Sequence, residues 1–142
     1  MNSFDLKAHT WDQNPMHYER SFSVSREMIR SIPLNNGMRA VEFGAGTGIT
    51  SFLLKDHLGE IIMLDNSREM VRAMNEKVRG SGASNLKPFF FDLEKDEWTD
   101  EKFDLVITQM ALHHVMNLDL ILEKFFNILL PGGYLAVADL YP

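Results

Sequence analysis

The chain has 142 residues, 45% hydrophobic and 24% charged, an ordinary globular balance and enough for one domain with a buried core. Its formal charge of −6 argues against a nucleic-acid duplex as an obligatory partner, because neutralising phosphates takes a basic face. With no cysteine it has no disulfide framework and no thiolate metal site. No charged-then-apolar leader opens it and no apolar run nears the ~18 residues of a membrane span, so no membrane partner and a cytoplasmic location are expected.

Residues 1–37 precede the first strand and read as N-terminal cap helices. Residues 38–142 read as the α/β core. In the cap, Trp11-Asp12 and Pro15 open a short helix to about Phe22. Ser23 or Ser25 caps a second, with Met28, Ile29 and Ile32 on its inner face. Pro33 ends it, and Asn35-Asn36-Gly37 is a turn.

Val41-Glu42-Phe43 closes a buried strand, and Gly44-Ala45-Gly46-Thr47-Gly48 turns into a helix from about Thr47 to His57. A glycine-rich turn at this junction brings backbone close to a ligand, because no Cβ stands in the way. The dinucleotide fingerprint G-x-G-x-x-G needs a third glycine where this chain has Ile49. Glu42 also places a negative charge where a pyrophosphate would sit. It suits a ligand with a cationic end, an ammonium or a sulfonium.

Glu60 to Asp65 is an apolar run closed by an acid, the pattern of a parallel strand buried on both faces. Asp65 follows Gly44 at about 20 residues, the spacing that puts a carboxylate at the second strand's tip for ribose hydroxyls. Ser67 to Arg79 is an amphipathic helix carrying Met70, Val71, Met74 and Val78. Leu86 to Phe91 is the third strand, with Asp92-Leu93 at its carboxyl end and a charged connection around Trp98 behind it. Phe103 to Thr108 is the fourth, leading into Gln109-Met110-Ala111-Leu112-His113-His114-Val115. Asn117 caps a further helix, Pro131-Gly132-Gly133 stops it, and Tyr134 to Asp139 is the fifth strand. Strands alternating with helices give an α/β fold with a doubly wound, mostly parallel sheet.

The turn Glu42-Phe43-Gly44-Ala45-Gly46-Thr47-Gly48 resembles the first motif of the class I S-adenosylmethionine-dependent methyltransferases, which share a Rossmann-like fold. The resemblance implies a strand order of 3-2-1-4-5, with the ligand where strands 1 and 4 part. Gln109 to Val115 resembles their fourth motif, and Leu130-Pro131-Gly132-Gly133 their late turn. The resemblance implies S-adenosylmethionine as cofactor, held by Glu42 to Gly48 and by Asp65. Glu42 orients the amino-acid end, and the backbone amides near Gly44 to Gly48 meet its carboxylate. Asn66, Ser67 or Met70 then touches the adenine, Asp92 accepts from its amine, and Leu93 lies beside the ring. Gln109 and Met110 line the place where the methyl group leaves. Trp11, His17 and above all Tyr18 are the cap residues expected to face the ligand.

Adjacent His113 and His114 lack further ligands at metal spacing, and neighbours on a helical turn point apart, so no metal site is expected. With Tyr18 they are the catalytic candidates, a histidine serving as general base. The expected activity is methyl transfer to a small-molecule acceptor. The alternative is a module that keeps the cofactor and transfers nothing. A nicotinamide enzyme fails at Ile49 and Glu42, and an aminopropyl transferase lacks its acidic pair. The family's sheet carries two strands beyond the fifth, so a chain that ends at Tyr141-Pro142 is expected to be a fragment or a truncated gene product. Leu135 to Leu140 is therefore expected as an apolar edge, a place for a homodimer to form.

Overall fold

The computed structural model describes residues 4–139. Five parallel strands, β1 (Arg39–Phe43), β2 (Glu60–Asp65), β3 (Leu86–Phe90), β4 (Phe103–Gln109) and β5 (Leu129–Ala138), form one sheet of order β3-β2-β1-β4-β5. Four α-helices accompany them: α1 (Pro15–Ser31), α2 (Ile49–Leu54), α3 (Arg68–Ser81) and α4 (Leu118–Ile128). The expected strand order holds. β1 pairs with β2 on one side and β4 on the other, so the chain reverses direction across the sheet between β1 and β4.

The pleat of β1 divides the core. Ala40 faces a cluster with Met28, Leu54, Ile61, Met63, Met74, Leu105 and Ile107, beneath α1, α2 and α3. Val41 and Phe43 face the opposite cluster, with Val106, Ile121, Phe125 and Ile128, against α4. Glu42 shares the face of Ala40, which places a carboxyl group under the helices of the first side.

The cap differs from the two helices expected. A short 3-10 helix (Ala8–Gln13) leads into a single α-helix, α1. Asn14 caps it by accepting from the Met16 N–H at 3.0 Å, and Pro15 takes the first position, where a missing N–H costs nothing. Ser25 does not cap a second helix. Its hydroxyl donates back to the Phe22 carbonyl at 3.0 Å, so the helix runs through it.

The last strand also differs. α4, capped by the Asn117 side chain as expected, ends at Ile128, and β5 begins at once with Leu129. Phe103 pairs with Leu129 and Leu105 with Tyr134, so Pro131-Gly132-Gly133 forms an irregularity inside the strand rather than a stop before it. Among the described residues β5 is an edge with Tyr134, Leu135 and Val137 exposed. Leu140, the last residue of the expected edge run, lies outside the described residues.

Candidate functional site

A cavity of about 680 Å³ opens at the carboxyl ends of β1 to β4, inside the ~300–1,000 Å³ range of small-molecule sites. Its walls are the turn after β1, Asp65-Asn66 after β2, Asp92-Leu93 after β3 and the stretch 109–115 after β4. The 3-10 helix and the first turns of α1 close over it, bringing Trp11, His17 and Arg20 to the lining.

The turn after β1 winds through three glycines in the left-handed region. Two of them serve different ends. A Cβ on Gly48 would stand 2.3 Å from the Met63 terminal methyl, so this glycine is set by packing on β2 and α3. A Cβ on Gly46 would meet nothing nearer than Trp11 Nε1 at 3.8 Å, across the cavity, so this is where backbone lies open to a ligand. Gly44, Ala45, Gly46 and Thr47 line the cavity, and Gly48 does not.

Glu42 lies at the base of the cavity and is 2% exposed, its Oε1 accepting from Ser51 Oγ at 2.6 Å. Burial pushes its carboxyl up from an ordinary 4.5 to about 7. The Ser51 bond opposes that rise, nearby Asp65 adds to it and Lys77 offsets a part. Asp65 is pushed up by burial too, held back by backbone N–H bonds. Its Oδ2 accepts from the Gly46 N–H at 2.8 Å and its Oδ1 from the Ser67 N–H at 2.9 Å, so one carboxylate ties the turn to the start of α3.

The cap is pinned across the opening by polar contacts. Asp12 accepts from Thr47 Oγ1 and from Lys77 Nζ, the latter at 2.9 Å, while Asp5 accepts from Ser67 Oγ and the Glu69 N–H. Trp11 and His17 stack with ring centres 3.7 Å apart, and Phe4 sits edge-on to Trp11 and His114.

On the far side, Gln109 joins three elements. Its Oε1 accepts from Thr50 Oγ1 of α2 at 2.7 Å, and its Nε2 donates to Ser21 Oγ of α1 at 3.3 Å. Met110 has φ 56, a strained value for a side chain with a Cβ, which bends the chain around the cavity. Asp139 then accepts twice from the segment that follows, from the Leu112 N–H at 2.7 Å and from His113 Nδ1 at 2.5 Å. A carboxylate only accepts, so Nδ1 of His113 carries the proton and Nε2 is left as the basic nitrogen.

The structure gathers Glu42, Asp65, Asn66, Met70, Asp92, Leu93, Gln109, Met110, His113 and His114 around one cavity. It corrects five expectations. Tyr18 lies outside, 49% exposed and stacked on Phe22, because α1 turns His17, Arg20 and Ser21 inward and Tyr18 outward. Phe43 belongs to the opposite core, packed on Trp98 and Phe125, since the strand alternates. Ser67 caps α3, leaving Asn66 and Met70 at the lining. His113 and His114 do not point apart: in a tight 3-10 turn their ring centres lie 3.9 Å from each other. Three of the turn's amides are not open either. The Ala45 N–H donates to Leu64 O, that of Gly46 to Asp65 and that of Gly48 to Ala45 O.

Sequence reading missed Arg20, Thr50, Lys95, Phe4 and the partnership of Asp139 with His113. Arg20 was within reach: once 15–31 is one helix, it lies one turn from His17. Its Nε is shut off from solvent and has no acceptor among the described residues, a condition that costs about 1–3 kcal/mol.

The Methyltransferase domain model matches residues 34–141. The chain belongs to that family. It is 34% identical over 112 residues to an uncharacterized methyltransferase of Schizosaccharomyces pombe, covering 74% of this chain and 39% of that protein. It is 29% identical over 107 residues to the ubiquinone/menaquinone biosynthesis C-methyltransferase UbiE of Vibrio vulnificus, covering 72% and 41%. The chain thus spans about two-fifths of the length of these methyltransferases. The fold is shared with DhpI in its SAH complex, with a TM-score of 0.81, 22% identity, and coverage of 98% of this chain and 66% of that one. No helix among the described residues is long and apolar enough to cross a membrane.

Proposed function

We propose that this chain is the S-adenosylmethionine-binding core of a methyltransferase acting on a small molecule, with residues 1–37 as its cap and 38–142 as its α/β body. The observation that carries the reading is the pair Glu42 and Asp65, two buried carboxyl groups at the tips of adjacent strands that open into one cavity. An anionic ligand is repelled by two buried acids. A ligand with an ammonium at one end and ribose hydroxyls farther along uses both. Membership of the methyltransferase family and the SAH complex of DhpI, whose fold the chain shares, support the same cofactor.

In this reading the bound cofactor supplies a methyl group made reactive by its attachment to a sulfonium. Glu42 accepts from the ammonium. Asp65 uses the lone pairs left over from Gly46 and Ser67 for the ribose hydroxyls. Asn66, Met70, Asp92 and Leu93 enclose the base, and the bent backbone at Met110 walls the reacting end. His113, oriented by Asp139, takes a proton from the acceptor at Nε2. Trp11, His17 and Phe4 keep bulk water from the reactants. Orientation alone supplies roughly 7–11 kcal/mol of such a barrier, so the histidine assists rather than drives. The β5 edge, with Tyr134, Leu135 and Val137 exposed, supports self-association through that strand, and light scattering that returns a monomer rules it out.

Calorimetric titration tests the cofactor. S-adenosylmethionine and its demethylated product, S-adenosylhomocysteine, are expected to bind at micromolar strength, and NAD is not. Binding of NAD in preference to both sulfur compounds overturns the reading.

A further inference from the structure

We propose that the methyl acceptor is a phenol, an aromatic ring with an ionisable hydroxyl, seated against a wall of rings at the β4–β5 side of the cavity. The proposal rests on the cofactor reading above and names the substrate class of that same site. Glu42, Asp65 and Asp92 stand at or just past the ends of β1, β2 and β3, so a cofactor that they hold lies across one half of the sheet. The half beyond β1, in the order β3-β2-β1-β4-β5, is left to a second molecule. Five rings that line the cavity form a continuous chain from the cap to that half. His17 stacks on Trp11 with centres 3.7 Å apart, and Phe4 meets Trp11 at 6.0 Å and His114 at 5.8 Å. His114 lies 3.9 Å from His113, which Asp139, just past β5, holds through Nδ1 at 2.5 Å.

Two properties of this wall select the acceptor. Ring edges and faces favour a flat π partner over an aliphatic one of the same size. The wall also ends on a base, because Nδ1 of His113 donates to Asp139 and leaves the Nε2 lone pair to accept. An alkyl hydroxyl holds its proton too tightly for an imidazole to take it. A phenol, with the acidity of a tyrosine side chain at about 10, comes within reach. A primary ammonium needs a carboxylate, and Asp139 at this end already accepts from the Leu112 N–H and from His113. In the step itself, the phenolic proton passes to His113 Nε2 while the oxygen forms its bond to the methyl carbon. The bond from methyl to sulfur breaks, and its electron pair stays on sulfur, so a cationic sulfonium becomes a neutral thioether. His113 is left as an imidazolium against the Asp139 carboxylate, which balances its charge.

The probe is 4-nitrophenol, which is coloured as the phenolate and not as the phenol. It is titrated into the wild-type chain, Phe4→Leu and His113→Gln, each saturated with S-adenosylhomocysteine, at a pH where the free phenol is mostly neutral. The wild-type chain is expected to bind it and shift its spectrum to that of the phenolate. Phe4→Leu, which stays apolar but loses the ring, is expected to bind it about 2- to 10-fold more weakly. His113→Gln is expected to bind it without the shift. Cyclohexanol and benzylamine are the competitors, and both are expected to displace it less well than phenol does. With S-adenosylmethionine in place of its product, the methyl group is expected on the phenolic oxygen. Displacement by either competitor as strong as by phenol overturns the proposal, as does binding with no spectral shift or with no loss in Phe4→Leu. A phenol that binds and is not methylated, or is methylated on carbon, overturns it too. If S-adenosylhomocysteine does not bind the wild-type chain, the cofactor reading itself falls and this proposal with it.

Discussion

Glu42 accepts a hydrogen bond from Ser51 Oγ at 2.6 Å, and both residues are closed to solvent, Ser51 completely. One neutral donor does not replace the water that an ionised carboxylate loses on burial, which is why the group holds its proton to about pH 7. The folded chain then binds more protons than the unfolded one between pH 4.5 and about 7. This contribution to stability is complete below 4.5 and lost as pH rises through 7, about 3 kcal/mol in all. Asp65, also raised, acts in the same sense. Glu60, lowered by Lys87 and Arg39, acts in the opposite sense but only at acid pH. The ligand-free chain is therefore expected to melt at lower temperature at pH 8 than at pH 6, and Glu42→Gln to flatten that slope. Equal slopes in the two proteins refute the assignment.

The same group predicts a proton released on binding. An ammonium beside Glu42 favours its ionised form, so a proton leaves when the ligand binds near pH 6.5. Titrations of S-adenosylhomocysteine in buffers of different ionisation enthalpy should give apparent enthalpies that differ in proportion, and those of Glu42→Gln should coincide.

Asp65 holds two backbone N–H groups, those of Gly46 and Ser67, besides facing the cavity. Asp65→Ala leaves both donors without a partner, at about 1–3 kcal/mol each. Urea denaturation should show a loss of roughly 2 kcal/mol or more, and binding of 5′-methylthioadenosine should weaken along with that of S-adenosylhomocysteine. A variant of unchanged stability means that the turn does not depend on this carboxylate.

Gly46 and Gly48 separate binding from folding. At Gly48, φ is +85° and a Cβ would press on Met63, so alanine should cost about 1–3 kcal/mol in stability. At Gly46, φ is +63° with open space, so alanine should cost about 1 kcal/mol of backbone strain. Its methyl, however, projects toward the ligand. Denaturation midpoints should rank Gly48→Ala below Gly46→Ala, and cofactor affinity should fall more in Gly46→Ala.

Asp139 fixes the tautomer of His113. In Asp139→Ala the Nδ1 proton loses its acceptor, and the Nε2–H form should gain population. Nitrogen-15 chemical shifts of the ring report the change directly. A ring with the same shifts in both proteins shows that Asp139 does not orient it.

Much of this protein was settled locally, within the sequence. The strands themselves, the turn after β1 and the acids at the strand tips follow from apolar runs, glycine spacing and the terminal residue of each run, all short-range patterns. So did Glu42, since an acid inside a buried strand is conspicuous wherever it occurs. What the fold alone decided depends on helix phase and on distant partners. Tyr18 faces solvent and Arg20 the cavity because residues 15–31 form one helix, whose phase sets which side meets the sheet. Phe43 left the site because strand alternation sends it to the other core. His113 found Asp139 26 residues away only when β5 paired with β4 and brought the carboxylate beside the bend at Met110. Two of the turn's amides were satisfied by β2, whose register with β1 places Leu64 and Asp65 against Ala45 and Gly46. Short-range spacing names the groups that a site has available; which of them remain free to meet a ligand depends on what the packed chain has already bound.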